Sequence, residues 1–124
     1  MPLNSRNKGA SGERELCDVL TSAGLMARRT VQYCGKSGDA ADVRIDGCAL
    51  HVEVKRTEKV KLHQWAEQAV RDAHGRPWAI FTRRNHGEWF VVVPLAQWLE
   101  ESRHAQDART HTERVRDEAI SPRS

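Results

Sequence analysis

The hydrophobic positions change period several times along the chain, and each change marks an element. Leu16, Val19, Leu20 and Ala23 recur at helical spacing. Ser11 stands ahead of them as an N-cap, and Gly24 ends the run. Glu13 and Glu15 fall in the first turn, where the helix dipole favours acids. The pattern therefore predicts a first helix from about Ser11. Residues 1–10 before it have too little apolar surface to pack and read as a flexible basic arm. Over 28–34 the chain turns to strand formers, Thr30, Val31 and Tyr33. Gly35-Lys36-Ser37-Gly38 then reads as a loop. Two strands follow, 41–45 and 48–55, with Asp46-Gly47 between them as a two-residue hairpin turn.

Helical spacing returns over 60–74, where Leu62, Trp65, Ala66, Ala69, Val70 and Ala73 make an apolar stripe that Gly75 and Pro77 close. Strands at 78–82 and 88–93 flank a turn at Asn85-His86-Gly87. Pro94 opens a short helix carrying Leu95, Trp98 and Leu99. The order α-β-β-β-α-β-β-α predicts an α/β fold, a mixed central sheet flanked by helices. One domain, 11–104, is expected between the arm and a charged tail, 105–124, that is either disordered or a solvated helix.

Composition narrows the class. With 124 residues, 39% hydrophobic and 30% charged, one globular core fits and a second does not. No apolar run is long enough to span a membrane, and the start lacks the apolar centre of a secretory signal. A cytoplasmic protein without a membrane partner is expected. The net charge of +3 and pI near 9.0 permit a nucleic-acid partner without requiring one. Cys17, Cys34 and Cys48 fit neither a disulfide framework nor a zinc site and read as buried or half-buried thiols. The six histidines form no H-E-x-x-H pair.

The hairpin carries the chemistry. A tight turn at Asp46-Gly47 sets Ile45 against Cys48 and Asp42 against His51. Val43, Ile45, Cys48, Leu50, Val52 and Val54 then share an apolar face. Asp42, Arg44, Ala49, His51, Glu53 and Lys55 share the other. Asp42 and Glu53 become diagonal neighbours, about 7 Å apart along the backbone, so both carboxylates reach one ion. Two such carboxylates suit a hard divalent cation such as Mg²⁺, with Mn²⁺ as a substitute. With Lys55 beside them to stabilise charge on phosphorus, the implied chemistry is metal-assisted phosphodiester hydrolysis. Glu13 lies on the stripe of Leu16, Cys17 and Leu20, which turns it toward the sheet. The competing reading of the hairpin is a solvated polar face in a small interaction domain, which binds no divalent ion.

Asp42 followed by Glu53-Val54-Lys55 resembles the PD-(D/E)XK nuclease signature. Lys8-Gly9-Ala10-Ser11-Gly12-Glu13-Arg14-Glu15 is similar to the opening of archaeal-type Holliday junction resolvases and their phage relatives, and the 35–38 loop is similar to theirs. Ala41 departs from the pattern, which has proline before the aspartate. The resemblance covers residues 8 to about 93. It implies the restriction-endonuclease-like core, with Glu13, Asp42, Glu53 and the Val54 carbonyl around the metal. It also implies Lys55 as the catalytic lysine, Ser37 near the scissile phosphate, and Gln68 supporting the site from the second helix. The implied activity is resolution of four-way DNA junctions by paired cuts, in a homodimer, in a nucleoid or a phage-infected cell. Arg6, Lys8, Arg28, Arg29, Lys36, Arg56, Lys59 and Lys61 flank the proposed site in sequence and are candidate phosphate contacts. The alternatives are a nuclease of this fold acting on other branched or duplex DNA, and a non-catalytic DNA-binding domain that kept the fold.

Overall fold

A computed structural model describes residues 5–30 and 41–120, with side chains over 10–30 and 41–119. The elements are α1 (Ser5–Ser22), β1 (Ala27–Arg29), β2 (Val43–Ile45), β3 (His51–Arg56), α2 (Leu62–Ala73), β4 (Trp78–Arg83), β5 (Phe90–Val92) and α3 (Leu95–Ile120). Their order is the predicted one. The strands form one mixed sheet, β1-β2-β3-β4-β5. Neighbours are antiparallel except β3 and β4, which run parallel because α2 carries the chain back between them.

The helix α1 packs on one face of the sheet. Leu16 and Leu20 meet Val43, Ile45 and Val52 there, with Cys17, Leu50, Val54 and Phe81 at the margin. α2 covers the other face, where Trp65 and Ala69 lie on Ile80 beside Trp78 and Val92. β3 is thus covered on both sides, Val52 and Val54 toward α1 and the alternate residues toward α2.

Several elements depart from expectation. α1 begins at Ser5, so Ser11 lies exposed inside the helix rather than capping it, and the expected arm shrinks. Glycine at position 12 is tolerated mid-helix because this turn presses against β3. A Cβ there would stand 2.9 Å from Arg56 Cβ and 3.7 Å from Val54 Cγ1. Gly12→Val is expected to destabilise the fold by about 2–3 kcal/mol in urea denaturation, despite valine's better helix propensity, because the clash is with a strand rather than a free side-chain end. The chain divides into two units, Met1–Val93 and Pro94–Ser124. The expected boundary near 104 falls inside α3, so the short helix and the charged tail are one helix as far as Ile120. Good helix formers and i,i+4 pairs sustain it, Gln97 with Glu101 at 3.3 Å and Glu100 with His104 at 3.8 Å.

The hairpin register also differs. The turn is where the sequence placed it, closed by the Cys48 amide on the Ile45 carbonyl at 3.2 Å. Yet only Gly47 takes a positive φ, 75°, so the turn is not the type that locks a two-residue hairpin. The strands splay, and Val43 pairs with Val52 instead of Leu50. The slip is two residues, so the two faces keep their membership. Cys48 drops out of the core and is exposed. The segment 31–40, including the expected strand end and glycine loop, lies outside the described residues.

Candidate active site

The slip draws the acids together. Asp42 sits where β2 and β3 part. Its amide donates to the Val52 carbonyl at 2.9 Å, and its Oδ2 accepts from the Val54 amide at 2.8 Å. The carboxylate therefore stands in for a ladder carbonyl and is held between the strands. Asp42 and Glu53 stand close enough for the charge of each to bear on the other. Burial, then the charge of Glu53, push the Asp42 carboxyl from its ordinary 3.8 up to about 6, against the pull of the Val54 amide. Burial raises Glu53 as well, opposed by Asp42 and Lys55. The face expected to be polar is not solvated, for His51 is 0% and Glu53 3% exposed.

The helix α2 is what buries it. Gln68 and Asp72 lie four residues apart on α2, and Arg76 follows at the same spacing just past its end. Four residues of helix rise about 6.0 Å, and two residues of strand about 6.6 Å. The two elements therefore match rung for rung. The Lys55 Nζ donates to Gln68 Oε1 at 3.1 Å. Asp72 approaches Glu53 and His51, with donor atoms of all three within 4.8 Å. Arg76 reaches His51 Nδ1 at 3.5 Å.

Glu13 comes from α1 and feels the charges of Asp42 and Glu53. Burial raises its carboxyl, opposed by Arg29, whose Nε donates to Glu13 Oε2 at 2.8 Å. Glu13, Asp42, Glu53, Lys55 and Gln68 are thus brought together. Ser37 and Lys36 lie outside the described residues, as do the side chains of Arg6 and Lys8. Among the candidate phosphate contacts, Arg29 is engaged by Glu13, and Arg56 by Glu15 at 3.5 Å and Asn85 at 2.6 Å. Arg28 is exposed 3.8 Å from Asp46, and Lys59 and Lys61 are exposed. His51, Asp72 and Arg76 were not singled out from the sequence, although His51 was placed on the acidic face and Asp72 follows Gln68 at helical spacing.

Half-buried Asp42, which keeps its proton to an unusually high pH, and buried Glu53 form an oxygen-only donor set, which fits a hard divalent cation. The cation must displace that proton. The folded chain holds it up to about pH 6, whereas the unfolded chain releases it near the ordinary 3.8. Without metal, this group's contribution to stability is therefore greatest at acid pH and falls as pH rises through 6, in all by about 3 kcal/mol. A divalent ion bound there would offset the loss, so Mg²⁺ is expected to raise Tm more at pH 7.5 than at pH 5, as thermal melts against EDTA will measure.

The family described as "Phage putative PDDEXK endonuclease" matches residues 4–120. Among curated proteins, none matches the chain in sequence. Among solved structures, the fold is similar to that of Hjc, a Holliday junction resolvase from the archaeal hyperthermophile Archaeoglobus fulgidus. The TM-score is 0.54 at 24% identity, over 68% of this chain and 76% of that one.

Proposed function

The chain belongs to the phage PDDEXK endonuclease family, and on that footing we propose that it is a metal-dependent endonuclease that resolves four-way DNA junctions by paired phosphodiester hydrolysis. The observation that carries this reading is the convergence of Asp42, Glu53 and Lys55 where β2 and β3 part, with Glu13 beside them. Asp42, Glu53 and the Val54 carbonyl hold the cation, Mg²⁺ with Mn²⁺ as a substitute, and Glu13 contributes through water. When bound, the ion supplies charge neutralisation at the scissile phosphate and a more acidic water. Lys55, steadied by Gln68, places its ammonium where negative charge gathers on phosphorus. Ser37, which lies outside the described residues, is assigned to the scissile phosphate by the resemblance.

Junction selectivity is supported by the likeness to a junction resolvase and by cations that flank the site in sequence, Arg28, Lys59 and Lys61 being exposed. They suit phosphate tracking and shape recognition rather than base reading. A homodimer follows from the near two-fold symmetry of the substrate. Exposed Phe90 and Val91 on β5 offer apolar surface for it. Among the described residues, no helix is long and apolar enough to cross a membrane.

The test is cleavage of an immobile four-way junction, a flap and a linear duplex, each with Mg²⁺ or EDTA. Paired Mg²⁺-dependent nicks confined to the junction, and absent in Glu53→Gln, are expected. Equal cutting of the duplex would contradict junction selectivity. Intact DNA throughout, in Mg²⁺ and Mn²⁺ alike, would contradict the nuclease.

A further inference from the structure

Beyond the acids and the lysine, β3 buries a histidine that the hydrolytic chemistry leaves without a task. His51 is wholly buried, and its Nε2 lies 2.7 Å from Glu53 Oε1. Arg76 Nη2 stands 3.5 Å from the opposite ring nitrogen, Nδ1, while Arg76 Nε is anchored on the Ala73 carbonyl at 3.2 Å. A guanidinium only donates, so Nδ1 must accept. The ring proton of the neutral imidazole is then on Nε2, aimed at Glu53. We propose that His51 is a positioning residue, locked by Arg76 in the Nε2–H tautomer, that fixes the Glu53 carboxylate for the ion and withholds its own nitrogen from it. The inference rests on the nuclease reading for the identity of the metal centre.

A rival use of the same atoms is a second metal site on His51, Glu53 and Asp72, whose donor atoms lie within 4.8 Å of one another. The geometry disfavours it. A metal on Nε2 of a neutral ring requires the proton on Nδ1, where it would face the Arg76 guanidinium, donor against donor. The ladder along α2 explains how the lock is built. Gln68 engages Lys55, Asp72 sits over Glu53, and Arg76 reaches His51. Lys55 and His51, on either side of Glu53 along the strand, are each engaged by a residue of this ladder, so it orients the site as well as covering it. Orientation of this kind leaves the centre oxygen-only, which favours Mg²⁺ and Mn²⁺ over softer ions.

The experiment uses the full chain without DNA. Mn²⁺ binding is titrated by electron paramagnetic resonance in the wild type, His51→Leu, His51→Gln and Arg76→Met, and ¹⁵N-histidine spectra report the tautomer. The His51 signal is assigned by its loss in His51→Gln. The expected result is an Nε2–H ring in the wild type and a loss of Mn²⁺ affinity of about tenfold or more in His51→Leu. His51→Gln, whose amide N–H replaces the donor, is expected to recover most of the affinity, which a merely space-filling role does not predict. Should His51→Leu fail to fold, Arg76→Met decides, with a reduced Nε2–H population and weaker Mn²⁺ binding expected. An Nδ1–H ring in the wild type, direct imidazole coupling to Mn²⁺, or unchanged affinity in a folded His51→Leu or Arg76→Met would overturn the proposal while leaving the nuclease reading intact. No Mn²⁺ binding by the wild type would overturn both.

Discussion

Asp42→Asn is expected to abolish metal-dependent cleavage and to make the metal-free protein more stable. Both effects have one cause. The Asp42 carboxyl is buried beside Glu53, which pushes it up to about 6, so at neutral pH the fold carries an ionised group it would rather hold protonated. An asparagine keeps the hydrogen bonds. Its Oδ1 accepts from the Val54 amide as Asp42 Oδ2 does, and its Nδ2 donates to Glu53. It removes only the charge, so stability at pH 7.5 is expected to rise by about 1–3 kcal/mol in urea denaturation with EDTA. With Asp42 as a proposed metal ligand, its loss exceeds the roughly 10–100-fold that a supporting residue costs, so cleavage should fall by at least about a hundredfold. A destabilised variant, or one that cuts at wild-type rate, would contradict the electrostatic account of the site.

Lys55→Met separates charge stabilisation from metal binding. Lys55 holds its ammonium by a bond to Gln68 and lowers the carboxyls of both Asp42 and Glu53 by its charge. Its removal is expected to slow single-turnover cleavage by roughly 10²–10³, the scale for one lost stabiliser of developing charge. Mn²⁺ binding should survive, but its pH profile should move to higher pH, because the acids then release their proton less readily. Gln68→Leu keeps the charge and loses only the tether, so a smaller rate loss with an unmoved Mn²⁺ profile is expected. A Lys55→Met variant that loses Mn²⁺ binding at every pH would assign the lysine to the integrity of the centre instead.

Much of this was readable along the chain, and the reasons differ by element. The change between periods of 3.6 and 2 placed the elements in order, and the alternation in the hairpin assigned Asp42, Glu53 and Lys55 to one face. That assignment survived the wrong register because the slip was even, so parity was preserved although the partners were not. The slip itself was hidden in a backbone angle at Asp46, which does not take the positive φ that a locked two-residue turn needs there. Burial of the acidic face was hidden as well. Period alone does not reveal which helix covers a strand, so the sequence placed His51 on the polar face without showing that Gln68, Asp72 and Arg76 lie against that face. The start of α1 was misplaced because Ser11 looks like an N-cap, whereas the helix runs on through it and Gly12 marks a close approach to Arg56 and Val54.

The most direct test of the metal centre is an anomalous difference map from crystals grown in Mn²⁺. The expected result is a peak bounded by the Asp42 and Glu53 carboxylates and the Val54 carbonyl, with His51 still bonded to Glu53. A peak on His51 and Asp72, or none near Asp42 at pH 7.5, would contradict the account.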